Sequence, residues 1–151
     1  MGEARTYLDA NVFIDALEGV SEISEPIAEL FGILQSRPGR AVTSELTLAE
    51  VLAKPEREND ADMKRAYLHL IIWRSVVELM PVSRDVLYDS AKLVAGHRPK
   101  LRLPDAIHLA TAIRGQCTMF VSRDAGIAPP AGMVRLTADA SGVEHITKAL
   151  V

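Results

Sequence analysis

Four acidic residues lie where strands are predicted to end or helices to begin, which makes them candidates for chemistry. Asp9 directly follows the apolar run RTYL, and Asp124 closely follows the run MFVS. Glu50 lies on the helix predicted after AVT, and Asp105 lies near the start of the helix LPDAIHLATAI. Ligands of open α/β sheets bind beyond the carboxyl ends of the strands. We therefore expect these acids to gather at one edge of a sheet.

A set of carboxylates without histidine or cysteine suits a hard cation, and Mg²⁺ or Mn²⁺ fits best. Such ions activate water and stabilise both the attacking and the leaving oxygen of a phosphodiester. Carboxylates brought this close together repel one another unless a cation neutralises them. The four acids therefore predict a Mg²⁺ or Mn²⁺ site, with phosphodiester hydrolysis among the reactions open to it.

Each acid also has a purely structural explanation. Asp9 could cap a helix and Asp124 could be a turn residue, since aspartate is common in both positions. Asp105, in the first turn of a helix, would interact favourably with the helix dipole, a contribution of roughly 0.3–1 kcal/mol. Glu50 could pair with Lys54, which lies one helical turn further on. These explanations stay open beside the metal site.

The helix after AVT carries two acids, of which one can face the site. Glu45 and Glu50 lie about 140° apart round a helix of about 3.6 residues per turn, so both cannot point the same way. Leu46, Ala49 and Val51 give Glu50 apolar neighbours. We therefore assign Glu50 to the site.

The elements that position these acids follow from the apolar periodicity. Short strands are predicted at 5–8, 41–43, 78–82, 118–121 and 134–136. Helices are predicted at 12–17, 26–35, 45–54, 63–77, 84–96, 104–114 and 141–150, with a polar loop at 55–62. This alternation indicates a three-layer α/β/α fold around a central parallel sheet of about four to five strands. The length of 151 residues and the lack of repeats or linkers predict a single domain over residues 1–151.

Composition narrows the class of protein. The 17 basic and 20 acidic residues leave a net charge of −3, which argues against a broad basic surface for nucleic acid but not against an enzyme that acts on it. The single cysteine, Cys117, excludes an internal disulfide framework and a multi-cysteine zinc site. The sequence shows neither a signal peptide nor an apolar stretch of membrane-spanning length, so we expect a cytoplasmic protein.

Four segments, YLDANVFID, TSELTLAEVL, LPDAIHLATA and FVSRD, resemble PIN-domain ribonucleases, and within them the VapC-type toxins of bacterial and archaeal toxin–antitoxin pairs. They occur in the family's order between Tyr7 and Asp124. The resemblance implies hydrolysis of RNA that depends on a divalent metal, a cognate antitoxin partner and a toxin homodimer. The family's acidic site then falls on Asp9, Glu50, Asp105 and Asp124, and its polar supporting positions fall on Asn11 and Ser122.

The chain departs from the family pattern at one place. Family members often carry a further acid followed by an aromatic residue shortly after the fourth acid, whereas this chain continues Ala125-Gly126-Ile127. The departure bears on whether a second metal ion binds.

Basic residues beside the acids are candidates for contacts with substrate phosphates, and the alternative for each of them is an exposed, solvated loop residue. Arg102 precedes Asp105 and Arg123 precedes Asp124, and Arg98 and Lys100 lie on the same basic segment as Arg102.

Two other residue types receive structural interpretations. His108, on an apolar helix, is interpreted as a core or surface histidine. Trp73, Ile72 and Leu68 are interpreted as helix core or as a dimer face.

The leading hypothesis is a metal-dependent endoribonuclease toxin. The alternative is a PIN-like module that binds RNA or protein with weak or no catalysis, and the four acids favour the enzyme. A phosphotransfer receiver domain is disfavoured because it usually has adjacent acids after its first strand and a lysine at a late strand end. Here Asp9 stands alone, and Arg123 takes the place of the lysine.

Overall fold

The structure, a computed structural model, describes residues 2–97 and 100–151. Its strands are β1 (Thr6–Leu8), β2 (Ala41–Ser44), β3 (Val77–Met80), β4 (Met119–Val121) and β5 (Val134–Leu136). Its α-helices are α1 (Ala10–Glu18), α2 (Ser21–Gln35), α3 (Leu46–Arg57), α4 (Ala61–Leu68), α5 (Arg84–Gly96), α6 (Leu103–Arg114) and α7 (Ala140–Leu150). A π-helical turn, His69–Trp73, continues α4.

The five strands form one parallel sheet in the order β3-β2-β1-β4-β5. Tyr7 at the middle of β1 lies beside Val42 of β2 and Phe120 of β4. Because β1 is central and all strands run the same way, Asp9 emerges at the middle of the carboxyl edge. The predicted parallel sheet is confirmed.

Side chains of β1 alternate between the two faces of the sheet, as the period of a strand requires. Leu8 packs into a core with Phe13 and with side chains of α2, α4 and α7. Tyr7 points to the opposite face and packs against Leu109 of α6, while α5 packs on α6 through Val86 and Ile107. Helices therefore cover both faces, and the predicted three-layer α/β/α fold is confirmed.

Helix α2 begins at Ser21, so the prediction that it starts at Pro26 was wrong. The amides of Ile23 and Ser24 already donate to the carbonyl of Val20. Pro26 thus lies inside the helix, where its missing N–H removes one backbone hydrogen bond.

The loop predicted at 55–62 is shorter in the structure. Helix α3 continues through the buried Pro55 to Arg57. Asp60 then caps α4, since its carboxylate accepts from the amide of Met63 at 3.0 Å. The polar and charged residues at 55–62 predicted a loop, but the buried Pro55 lies inside α3, which continues to Arg57.

The helix predicted at 63–77 ends early. After the π-helical turn, Ser75 has a φ of 56°, a left-handed conformation that redirects the chain into β3. Trp73 is 57% exposed and Ile72 is 39% exposed, so their interpretation as helix core was wrong. Their role at a dimer face stays a prediction.

None of the helices within the described residues has both the length and the apolar character that a membrane crossing demands.

Candidate functional site

Asp9 is a buried residue whose carboxylate accepts hydrogen bonds from three donors. Its Oδ1 accepts from the amide of Ala10 at 2.8 Å and so caps α1. Its Oδ2 accepts from Ser122 Oγ at 2.7 Å and from Asn11 Nδ2 at 3.2 Å. Burying a carboxylate is costly unless it is hydrogen-bonded, and these contacts offset that cost. Asp9 is therefore both a helix cap and a fixed acid at the sheet edge.

Ser122 ties the turn after β4 to Asp9. Its hydroxyl donates to Asp9 and accepts from the amide of Asp124 at 3.0 Å and from Asn11 Nδ2 at 3.1 Å. One donated and two accepted bonds use the full capacity of a hydroxyl group. Asn11 and Ser122, the two predicted supporting residues, thus both contact Asp9.

Asp124 itself is exposed, and it also has the turn contacts of the structural explanation. Its Oδ1 accepts from the amide of Gly126 at 2.9 Å. The carboxylate therefore caps the turn after Ser122 while lying on the same edge of the sheet as Asp9.

Asp105 lies in the first turn of α6, and its surroundings disfavour its charge. Burial raises the pKa of this carboxyl, the negative charge of Asp124 raises it further, and Asp9 adds a smaller effect in the same direction. Arg102 opposes the rise, with its Nε 3.8 Å from Asp105 Oδ2. Because the Arg102 side chain is 80% exposed, water screens much of its attraction. Asp9 and Asp124 thus both lie close enough to Asp105 for their charges to act on its carboxyl group.

Glu50 reaches the same edge from α3. Its Oε1 lies 2.5 Å from Nε2 of His108, and that nitrogen also lies 3.5 Å from Asp9 Oδ1. Lys54 bonds instead to Glu18 at 2.8 Å, so the structural explanation of Glu50 as its partner does not hold. His108 Nε2 therefore bridges two of the predicted acids.

His108 is the site residue that the sequence interpretation left out. It is 1% exposed, and its Nδ1 lies 2.6 Å from the hydroxyl of Tyr7. The available signal was its spacing: His108 lies three residues after Asp105, on nearly the same face of α6.

Tyr7 supports His108 from inside the sheet. It is fully buried and stacks on Phe120, with ring centroids 5.0 Å apart. Burial, and secondarily the charge of Asp9, raises the pKa of Tyr7 well above its ordinary value. Its hydroxyl therefore keeps its proton at neutral pH and is available as a donor.

The predicted phosphate-binding arginines lie at the rim of the site. Arg123 is 58% exposed and donates to Asp15 Oδ1 at 2.7 Å. Arg102 and Lys100 are exposed as well. Arg98 lies outside the described residues.

The four acids fit a metal ion by donor type, but their present rotamers do not enclose one. Within residues 2–97 and 100–151, no group of three or more His, Cys, Asp or Glu side chains is arranged to hold a metal ion. Glu50 contacts His108 through Oε1, and Asp124 is turned towards the amide of Gly126. Asp124 is an exposed residue, so its carboxylate has room to turn towards the other acids. A hard cation would also relieve the repulsion around Asp105.

Comparisons with known proteins show what the chain resembles. The family model for the PIN domain matches residues 6–132. A toxin–antitoxin complex from Klebsiella pneumoniae contains a chain with 25% sequence identity and a TM-score of 0.63, and the match covers 85% of this chain and 95% of that one. A second match, at 14% identity and a TM-score of 0.67, covers 87% of this chain and 97% of a chain from the crystal structure of VapBC2 from Rickettsia felis bound to a DNA fragment from their promoter. A search of curated protein sequences found no significant match.

Proposed function

Because the chain belongs to the PIN-domain family, we propose that it is an endoribonuclease that hydrolyses phosphodiester bonds of RNA with Mg²⁺ or Mn²⁺. Nuclease activity is the general activity of PIN domains, and PIN-domain nucleases generally use divalent metal ions. RNA as the substrate and Mg²⁺ or Mn²⁺ as the ion go beyond this general activity and are specific to the proposal. The observation that carries it is the meeting of Asp9, Glu50, Asp105 and Asp124 at the carboxyl edge of one sheet.

In this proposal the four carboxylates hold the metal, which would neutralise phosphate charge and activate water when bound. Asp9 is the fixed member, since Ala10, Asn11 and Ser122 hold both of its oxygens. The other three approach from α3, α6 and the turn after β4. Arg102 and Arg123 at the rim would contact phosphates on either side of the scissile bond and position the RNA.

The toxin role rests on the solved neighbours. One is described as a toxin–antitoxin complex, and the other, VapBC2, shares the same fold. We therefore propose a cognate antitoxin as partner, with a homodimer and a cytoplasmic location as further parts of the hypothesis.

Cleavage of RNA tests the enzymatic proposal directly. The purified chain should cut RNA with Mg²⁺ or Mn²⁺, lose the activity in EDTA and regain it when the metal is restored. Asp105→Asn should lower the rate by at least about 100-fold, because it removes one carboxylate from the site. Asp85→Asn is the matched control, since Asp85 is an exposed aspartate in the first turn of the neighbouring helix α5.

Wild-type cleavage rates in Asp105→Asn would refute the assigned site. RNA binding that is equal with and without metal, together with no cleavage under any condition, would support the alternative of a binding module.

A further inference from the structure

His108 joins α6 to two other parts of the chain through its two ring nitrogens. Nδ1 meets the hydroxyl of Tyr7 in β1, and Nε2 meets Glu50 on α3 and Asp9 at the end of β1. The ring projects from α6 and is 1% exposed. His108 is therefore enclosed by protein, and any influence on the reaction passes through its neighbours.

The partners assign a direction to this chain of hydrogen bonds. Ionised carboxylates only accept hydrogen bonds, so the proton between His108 and Glu50 belongs to Nε2. The other ring nitrogen, Nδ1, hydrogen-bonds the Tyr7 hydroxyl at 2.6 Å. Tyr7 in this way sets the orientation of the ring, and the ring sets where the Glu50 carboxylate lies.

Glu50 needs such a partner more than Asp9 does. Asp9 is short, 6% exposed and bonded to Ala10, Asn11 and Ser122. Glu50 has a longer side chain, which projects from α3 and is 35% exposed. Without the Nε2 donor its carboxylate would turn freely into water, and ordering it again would cost rotamer entropy.

We propose that His108, oriented by Tyr7, is a positioning residue that holds the Glu50 carboxylate beside Asp9 for metal binding. This inference rests on the proposed function, because it assumes that Glu50 and Asp9 share a metal ion. Loss of an outer-shell partner of a metal ligand typically costs about 10–100-fold in metal affinity or activity.

The experiment compares four variants with the wild type by Mn²⁺ calorimetry, RNA cleavage and thermal melting. Tyr7→Phe removes the hydroxyl that orients the ring, and His108→Leu removes both ring contacts while keeping an apolar filling. His108→Gln retains an N–H donor for Glu50. Tyr67→Phe is the matched control, because Tyr67 is also fully buried and its hydroxyl bonds Glu18, away from the site.

Tyr7→Phe and His108→Leu should weaken Mn²⁺ binding and lower kcat by about 10–100-fold, with the KM for RNA nearly unchanged. His108→Gln should recover most of the Mn²⁺ affinity. Tyr67→Phe should bind Mn²⁺ and cleave RNA as the wild type does, whatever it loses in melting temperature.

The outcomes separate this inference from the proposed function. Suppose that the wild type binds Mn²⁺ and cleaves RNA, and that folded Tyr7→Phe and His108→Leu do both equally well. The positioning role is then refuted, and the proposed function stands. If His108→Leu fails to fold, unchanged Mn²⁺ affinity in Tyr7→Phe still refutes it. Absence of Mn²⁺ binding by the wild type overturns both.

Discussion

Single side chains at this site serve the fold and the chemistry at once. Asp9 caps α1 through one oxygen and binds Ser122 and Asn11 through the other. The structural and the functional explanations of Asp9 are therefore compatible. A substitution at Asp9 changes stability as well as the site, which makes Asp105 the better residue for separating the two.

Asp105→Asn should stabilise the metal-free protein near pH 7. Burial and the charge of Asp124 raise the pKa of Asp105 in the folded state, so folding favours its protonated form. The associated stability is fully present below the unfolded pKa of about 3.9 and is lost as the pH rises through the folded pKa. The asparagine side chain of Asp105→Asn does not ionise, so the variant does not lose this stability as the pH rises. We expect a rise of a few degrees in melting temperature in EDTA near neutral pH, shrinking towards about pH 4, since about 1 kcal/mol corresponds to about 2–4 °C at this size.

Added Mn²⁺ should reverse the order of the two melting temperatures, so that the wild type melts above Asp105→Asn. A ligand that binds only the folded state raises its stability, and the wild type keeps the carboxylate that the variant lacks. A lower melting temperature for Asp105→Asn than for the wild type in EDTA near neutral pH would contradict the prediction.

At the level of helices, α7 depends on a close approach of two backbone segments. A Cβ placed on Gly142 would lie 1.8 Å from the carbonyl oxygen of Thr137. Asp139 caps the same helix by accepting from the Gly142 amide at 2.8 Å. The first turn of α7 therefore has no room for a side chain at this position.

Gly142→Ala should destabilise the protein by more than about 1 kcal/mol, because the helix start must move away from Thr137. Gly32→Ala is the matched control on α2, where a new Cβ would meet nothing within 4 Å. That change should stabilise the helix by roughly 0.5–1 kcal/mol. Urea unfolding of both variants measures the difference, and equal effects of the two substitutions would refute the steric argument.

On the scale of the whole molecule, the charge balance is largely set by the site. The chain has 20 acidic and 17 basic residues, and without the four proposed ligands the acidic count falls to 16. The remaining charges are close to balance. The net charge of −3 therefore argues against tight binding through a broad basic surface but not against RNA as a substrate of a metal-loaded site.

The reactivity of the Cys117 thiol is a probe of how well the core is packed. It is 6% exposed beside Phe120 in the core under α6, and burial raises its pKa to about 12. Thiolate is the reactive form, so the folded protein should resist alkylation at mildly alkaline pH. Mass spectrometry should find the thiol unmodified in the native protein and fully alkylated in guanidinium chloride. Fast alkylation under native conditions would contradict this packing.

Patterns along the chain were sufficient to predict the parallel sheet, its helical layers and the strand end, turn or helix on which each acid lies. These features depend on short-range periodicity, and parallel strands bring their carboxyl ends to one edge. The sequence did not predict where α2 begins or where the helical segment of α4 ends. Packing keeps Pro26 inside its helix, and the left-handed Ser75 ends the helical segment.

The contacts of His108 could not be read from local pattern at all. They require α6 to turn this ring towards Glu50 on α3, and β1 to place Tyr7 beneath it. Glu50 and His108 are separated by 58 residues, and Tyr7 and His108 by 101. Helix periodicity gives the face on which a residue lies but not the neighbour that this face meets. That neighbour depends on strand order and on how α3 and α6 are placed around the edge of the sheet.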